Sequence, residues 1–170
     1  MLNGTSQAFA GGACIKQNGG RMKAEIISVG TELLLGHTVN TDATHVAREL
    51  SALGMDLLQV HTVGDNPQRL KKALREALER AEVVITTGGL GPTEDDLTKE
   101  TVALVVEAPL EEHADSMARL REYFGTRPMS ANQAKQAMLP RGSVAFPNLA
   151  GTAPGCATPA RSEEHTSELQ

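Results

Sequence analysis

The sequence predicts an α/β fold built on a mainly parallel sheet with helices on both faces. Short β-branched apolar runs alternate with segments whose apolar residues recur at helical spacing. The runs end in glycine-rich turns, where parallel βαβ units change direction. At 170 residues, 40% hydrophobic but only 2% aromatic, the chain can bury one core of Val, Leu, Ile, Ala and Met.

In chain order, residues 1–21 are rich in Gly, Ala and Asn with no helical period. They lack the basic and apolar regions of a signal peptide, so a disordered leader or a misassigned start is expected there. A coherent pattern begins at Met22, and residues 22–160 are expected to form one domain, incomplete at its C-terminus. Lys23 to Gly30 reads as an apolar strand. Asn40-Thr41-Asp42 offers caps for a helix carrying Val46, Leu50 and Leu53, stopped by Gly54. Met55 to Val63 is a strand, and Asn66-Pro67 opens a helix with the stripe Leu70, Leu74, Ala77, Leu78 and Ala81. Glu82 to Thr87 reads as a fully buried central strand, and Leu97 to Val106 as a helix. After a break at Ala108-Pro109-Leu110, Glu111 to Phe124 reads as a polar amphipathic helix with Met117, Leu120 and Phe124 on one face. Ser130 and Gln133 form a capping box for a helix expected to reach Leu139-Pro140. A short strand follows from Ser143 to Phe146, then a second glycine-rich loop from Pro147 to Gly155. The last ten residues, RSEEHTSELQ at 161–170, match the conceptual translation of a sequencing-library adapter, and no structural role is expected for them.

The formal charge of −5 argues against a general nucleic-acid surface, which would be basic. No apolar run is long enough to span a membrane. Cys14 and Cys156 stand far apart in dissimilar contexts, which suits two free thiols and a cytoplasmic location. His37, His45, His61 and His113 have no metal-ligand spacing and read as surface or packing residues.

Chemistry concentrates between Glu82 and Glu100. The strand runs into Gly88-Gly89-Leu90-Gly91-Pro92, where backbone N–H groups lie free of side-chain cover and can face phosphate oxygens. Thr93, Asp95, Asp96 and Thr98 follow, with Glu100 on the first turns of the next helix; adjacent carboxylates suit a hard divalent cation. Each half has a structural alternative, a tight connection for the glycines and a helix cap for the acidic pair. Beyond the first strand, Gly30, Thr31 and Glu32 offer a further polar turn, with Glu32 either facing a site or lying exposed. In a parallel sheet these turns, Gly64-Asp65-Asn66 and Gly151 to Gly155 would gather at one rim.

The segments KAEIISVGTELLLG, VNTD, TVGDN, TTGGLGPTEDDLTKE and PNLAGTAPG, in that order, resemble the N-terminal domain of the CinA (competence/damage-inducible) proteins. That domain is similar to the MoaB/MogA molybdopterin-binding fold, so the resemblance implies three α/β/α layers. It also implies an ADP-ribose pyrophosphatase (hydrolase) activity yielding AMP and ribose 5-phosphate, with Mg²⁺ or another divalent cation. The nicotinamide-mononucleotide deamidase domain of many members is not carried over to this chain.

On that reading the pyrophosphate lies across Gly88, Gly89 and Gly91, with Gly30, Thr31, Thr87, Thr93, Thr98, Gly151 and Thr152 also around it. Asp95 and Asp96, with Glu100, are the expected metal ligands; Asp95, Asp96, Asp65 and Glu32 are the catalytic candidates, with Glu32, Asp65 or Glu100 orienting water. Two alternatives stand beside it. One is a module binding a pterin phosphate without hydrolysis, and the other is a non-catalytic dimerisation domain acting as a homo-oligomer.

Overall fold

The computed structural model describes residues 20–160; the expectations for the leader before Gly20 and for the adapter-like tail lie outside the described residues. Three parallel strands form the main sheet: β1 (Lys23–Val29), β2 (Asp56–Val63) and β3 (Val83–Thr87). They are joined by α1 (Thr31–Leu34), α2 (Thr41–Ala52) and α3 (Pro67–Arg80). The order β2-β1-β3 makes β1 central, with Ile26 opposite both Val60 and Ile85. Chain direction across the sheet therefore reverses at β1, which puts a crevice beyond its carboxyl end. The expected central strand, β3, is instead an edge strand, and all five of its residues are half-buried because one flank has no paired neighbour among the described residues.

The alternation of β1 sets the layers. Ala24 and Ile26 face α2, packing with Ala43, Leu50 and the flank of Val46. Ile27 and Val29 face the other way, onto Leu70, Leu74 and Ala77 of α3 and onto Val102 and Val105 of α4 (Thr98–Val105). Two helical layers enclose one sheet, as expected. The caps of α2 and α3 are also as expected: Asn40 Oδ1 accepts from Ala43 N and Asn66 Oδ1 from Arg69 N. Leu53 departs from its predicted stripe; α2 ends one residue earlier, and Leu53 is 76% exposed.

The second half of the domain is less regular. Glu111 and Glu112 belong to β4 (Leu110–Glu112), which pairs antiparallel with β5 (Met138–Pro140). The predicted helix thus starts three residues late, as α5 (Ala114–Phe124), where the His113 ring caps Ser116 N. Ser130 and Gln133 do form a capping box, but α6 (Ala131–Ala134) gives way to a 3₁₀ turn at Lys135–Ala137. Leu139 and Pro140 are strand, not helix, because β4 takes them as its partner. Met117, Leu120 and Ala137 make a third small core, and β6 (Val144–Phe146) pairs with β7 (Gly155–Ala157).

Glu25 is a fully buried carboxylate in β1, on the face of the main sheet that meets α3. Arg80 at the end of α3 grips it with two bonds, Nε to Oε1 at 2.8 Å and Nη2 to Oε2 at 2.9 Å. His61 Nε2 lies 3.4 Å from the second oxygen. The Arg80 hydrogen bond, against the opposing effect of burial, holds the Glu25 carboxyl below its ordinary value of 4.5. A depressed carboxyl contributes stability above its unfolded value, lost as pH falls through the folded one. Glu25→Gln is therefore expected to cost about 2 kcal/mol at neutral pH and to flatten the acid limb of a urea-unfolding series below about pH 4. An unchanged acid limb would contradict this role.

Candidate functional site

The rim at the carboxyl end of β1 is assembled by reciprocal bonds between turns. Thr31 N donates to Asp65 Oδ2 at 2.9 Å, and Asp65 N donates back to Thr31 Oγ1 at 3.1 Å. Gly30 N donates to Val63 O at 2.9 Å, so the turns after β1 and β2 are tied together. The glycine turn after β3 sits directly against them. Gly88 and Gly89 both have positive φ, 85° and 64°. A Cβ on Gly88 would overlap the Val29 carbonyl oxygen, and one on Gly89 would overlap Thr98 Oγ1. Only glycine permits this approach together with this backbone. The N–H groups of Gly89 and Leu90 have no acceptor among the described residues. Amides left bare in this way can face an anion.

Three of the threonines expected around the phosphate make hydrogen bonds that shape the turn. Buried Thr98 donates its hydroxyl to Gly88 O at 2.9 Å, while its N–H donates to Gly89 O at 3.2 Å. Thr87 donates to Ser28 Oγ at 3.2 Å. Thr93 gives both its N–H (2.9 Å) and its hydroxyl (2.6 Å) to Asp96 Oδ2. Asp96 is thus the acceptor that folds the 91–97 loop. Burial raises its pKa, but bonds from Thr93 and Gly91, with the charge of Lys135, outweigh this and hold the carboxyl below its ordinary 3.8. It is ionised throughout the neutral range.

The three expected metal ligands do not converge. Among the described residues no group of three or more His, Cys, Asp or Glu side chains could hold a metal ion. Asp95 is exposed, Asp96 is turned into its own loop, and Glu100 Oε1 lies 3.2 Å from Lys135 Nζ. That ammonium also donates to Asp96 O at 2.8 Å and Thr93 O at 3.5 Å. A lysine from the turn after α6 therefore occupies the centre of the acidic loop. Nothing in the sequence marked it, since it lies 35 residues beyond Glu100 in a polar segment. Lys99, also unmarked, is buried and donates to Gln136 O at 2.6 Å, with burial pushing its pKa down.

Thr152 joins this assembly from the fourth loop by donating to Gln136 Oε1 at 2.6 Å. Asn148 fixes that loop internally, accepting from Ala150 N and Gly151 N. Gly151 and Thr152 also line a cavity of about 270 Å³ between α5 and the loop. Glu32, after β1, is exposed, with its carboxylate folded over the position a Gly30 Cβ would take. Neither His61 nor His113 faces the glycine turn; they serve Glu25 and the start of α5.

Residues 25–162 match the family model described as "Probable molybdopterin binding domain". A CinA-like protein of Desulfovibrio desulfuricans is 79% identical over 140 residues, covering 82% of this chain and 33% of that relative. A protein named "Putative competence-damage inducible protein" from Alkaliphilus oremlandii is 50% identical over 137 residues, 79% of this chain and 33% of that relative. The chain thus spans 33% of the length of these relatives. Among solved structures, the protein CinA of Thermoplasma acidophilum superposes with a TM-score of 0.76 at 34% identity, covering 80% of each chain. The molybdopterin biosynthesis enzyme MoaB of Thermus thermophilus, at 22% identity, 73% coverage of each chain and a TM-score of 0.50, shares the fold. With the TGGLGPTEDDLTKE turn and the α/β/α layers in place, the chain belongs to the molybdopterin-binding-domain family, in its CinA-like branch.

Proposed function

We propose that the Gly88–Gly91 turn holds the diphosphate of a nucleotide, and that the domain hydrolyses it in the manner of an ADP-ribose pyrophosphatase. The observation that carries this reading is the pair of unclaimed amides at Gly89 and Leu90, on a turn that only glycine can make, which runs into the loop whose Asp96 carbonyl accepts from the Lys135 ammonium. Amides and ammonium together favour a multiply charged anion. In the reaction, water oxygen bonds to one phosphorus as the bridging P–O bond breaks. The electron pair leaves on the other phosphate, and the water's proton passes to a carboxylate. Asp65 is the base favoured here, because Thr31 fixes its orientation at the rim. Lys135 and the loop amides offset charge on the departing phosphate.

Asp95, Asp96 and Glu100 do not converge on one point, so the acidic loop is not a ready-made metal centre. Mg²⁺ or another divalent cation would arrive with the substrate as the counter-ion of its diphosphate. Calorimetry of Mg²⁺ into the chain alone is accordingly expected to give weak binding, with tight binding only when pyrophosphate is present. Tight binding without it would mean a dedicated metal site.

The reading is tested by incubating the chain with ADP-ribose and Mg²⁺ and separating the products. AMP and ribose 5-phosphate in equal amounts are expected. Intact ADP-ribose would favour the second reading, a pterin-phosphate binder, which the family description supports.

A further inference from the structure

The cavity of about 270 Å³ between α5 and the 147–155 loop is separate from the glycine turn; none of Gly88 to Asp96 lines it. It lies just below the roughly 300–1,000 Å³ of sites that enclose a whole drug-sized ligand. It therefore suits one ring system of a larger ligand. Its polar groups converge from two sides: Asp115 and Ser116 on the first turn of α5, Asn148 and Thr152 on the loop. Thr152 also reaches Gln136, the neighbour in sequence of Lys135, so hydrogen bonds link the cavity wall to the segment that meets the acidic loop.

Tyr123 supplies the aromatic surface. It is the only tyrosine in the chain, it lines the cavity, and it is 61% exposed. It is also held in place. Arg127 stacks 5.4 Å from its ring centroid and donates to Tyr123 O at 2.6 Å, and Phe124 meets its ring edge-on at 5.3 Å. An exposed ring that lines the same cavity as a carboxylate matches a flat heterocycle, which stacks on the tyrosine while a ring N–H or amino group donates toward Asp115 at the other end of the cavity wall.

We infer that this cavity receives the aromatic base of the nucleotide whose diphosphate lies on the Gly88–Gly91 turn. The inference rests on the diphosphate reading above, and its test separates the two. AMP, adenosine and inorganic pyrophosphate are titrated into wild type, Tyr123→Ala, Tyr123→Phe and Asp115→Asn, following binding by calorimetry. Tyr123→Ala is expected to weaken AMP and adenosine at least about fivefold while leaving pyrophosphate unchanged. Tyr123→Phe retains the ring and should keep wild-type affinity; Asp115→Asn should weaken both base-bearing ligands. Unchanged AMP affinity in Tyr123→Ala, with pyrophosphate still bound, overturns the base pocket and leaves the diphosphate reading standing. Tyr123-dependent adenosine binding without any pyrophosphate binding supports the pocket and overturns the diphosphate reading instead.

Discussion

Gly88→Ala is expected to be the most damaging single methyl in the domain. Its φ of 85° is in a region that costs an L-residue about 1–2 kcal/mol. The new Cβ would also overlap the Val29 carbonyl oxygen, which sits at the end of the central strand and cannot retreat without breaking the rim. Overpacking of this kind adds about 1–3 kcal/mol, for a total of about 2–5 kcal/mol. Gly36→Ala is the internal control. Its φ of 72° imposes similar strain, but no atom lies within 4 Å of the added methyl, so about 1–2 kcal/mol is expected. Urea midpoints for the two variants and wild type read the difference. Equal losses would mean that the close approach of Gly88 to β1 carries no weight.

Asp96→Ala removes the acceptor that folds the acidic loop. Two of its bonds, from Thr93 N and Thr93 Oγ1, end on a carboxylate, and bonds to charged groups are worth about 1.5–3 kcal/mol. A loss of about 2 kcal/mol corresponds to roughly thirtyfold weaker pyrophosphate binding and slower turnover. Asp96→Asn keeps a carbonyl acceptor and should lose about fivefold, within the range for a neutral replacement. Asp95→Asn, on an exposed side chain, is expected to change affinity less than about threefold. The sign of the pH effect follows from the depressed Asp96 carboxyl. Its contribution is complete above the ordinary 3.8 and fades as pH falls through the lowered value, so the loop holds its shape across the neutral range. A hundredfold loss on Asp95→Asn would instead make Asp95 a ligand of the incoming metal.

What could be read from the sequence follows local rules. The helix caps at Asn40, Asn66 and Ser130 depend on side chains within three residues of the amides they meet, and all three are as expected. The apolar run of β1 and the stripe of α3 each report one element meeting the core, and these too were legible. The glycine turn was legible because its composition is its mechanism. Strand order was not, since β3 is as apolar as β1 and nothing local says which has neighbours on both sides. The β4–β5 pairing joins residues nearly thirty apart, so Glu111 and Leu139 read as helix until their partners are known. The placement of the acidic pair was not legible either, for the same reason. Asp95 and Asp96 are adjacent in the chain, yet one is exposed and the other is turned into the loop. The cation that meets the acidic loop, Lys135, comes from another element altogether.

The central claim is that the amides of the glycine turn take the diphosphate. It is tested most directly by ¹H–¹⁵N spectra of the labelled chain during titration with ADP-ribose and Mg²⁺. The largest shifts are expected at Gly89 and Leu90, with Gly88, Gly91 and Thr93 following, and the same pattern with inorganic pyrophosphate. Shifts confined to other parts of the fold, or none at saturating ligand, would contradict it.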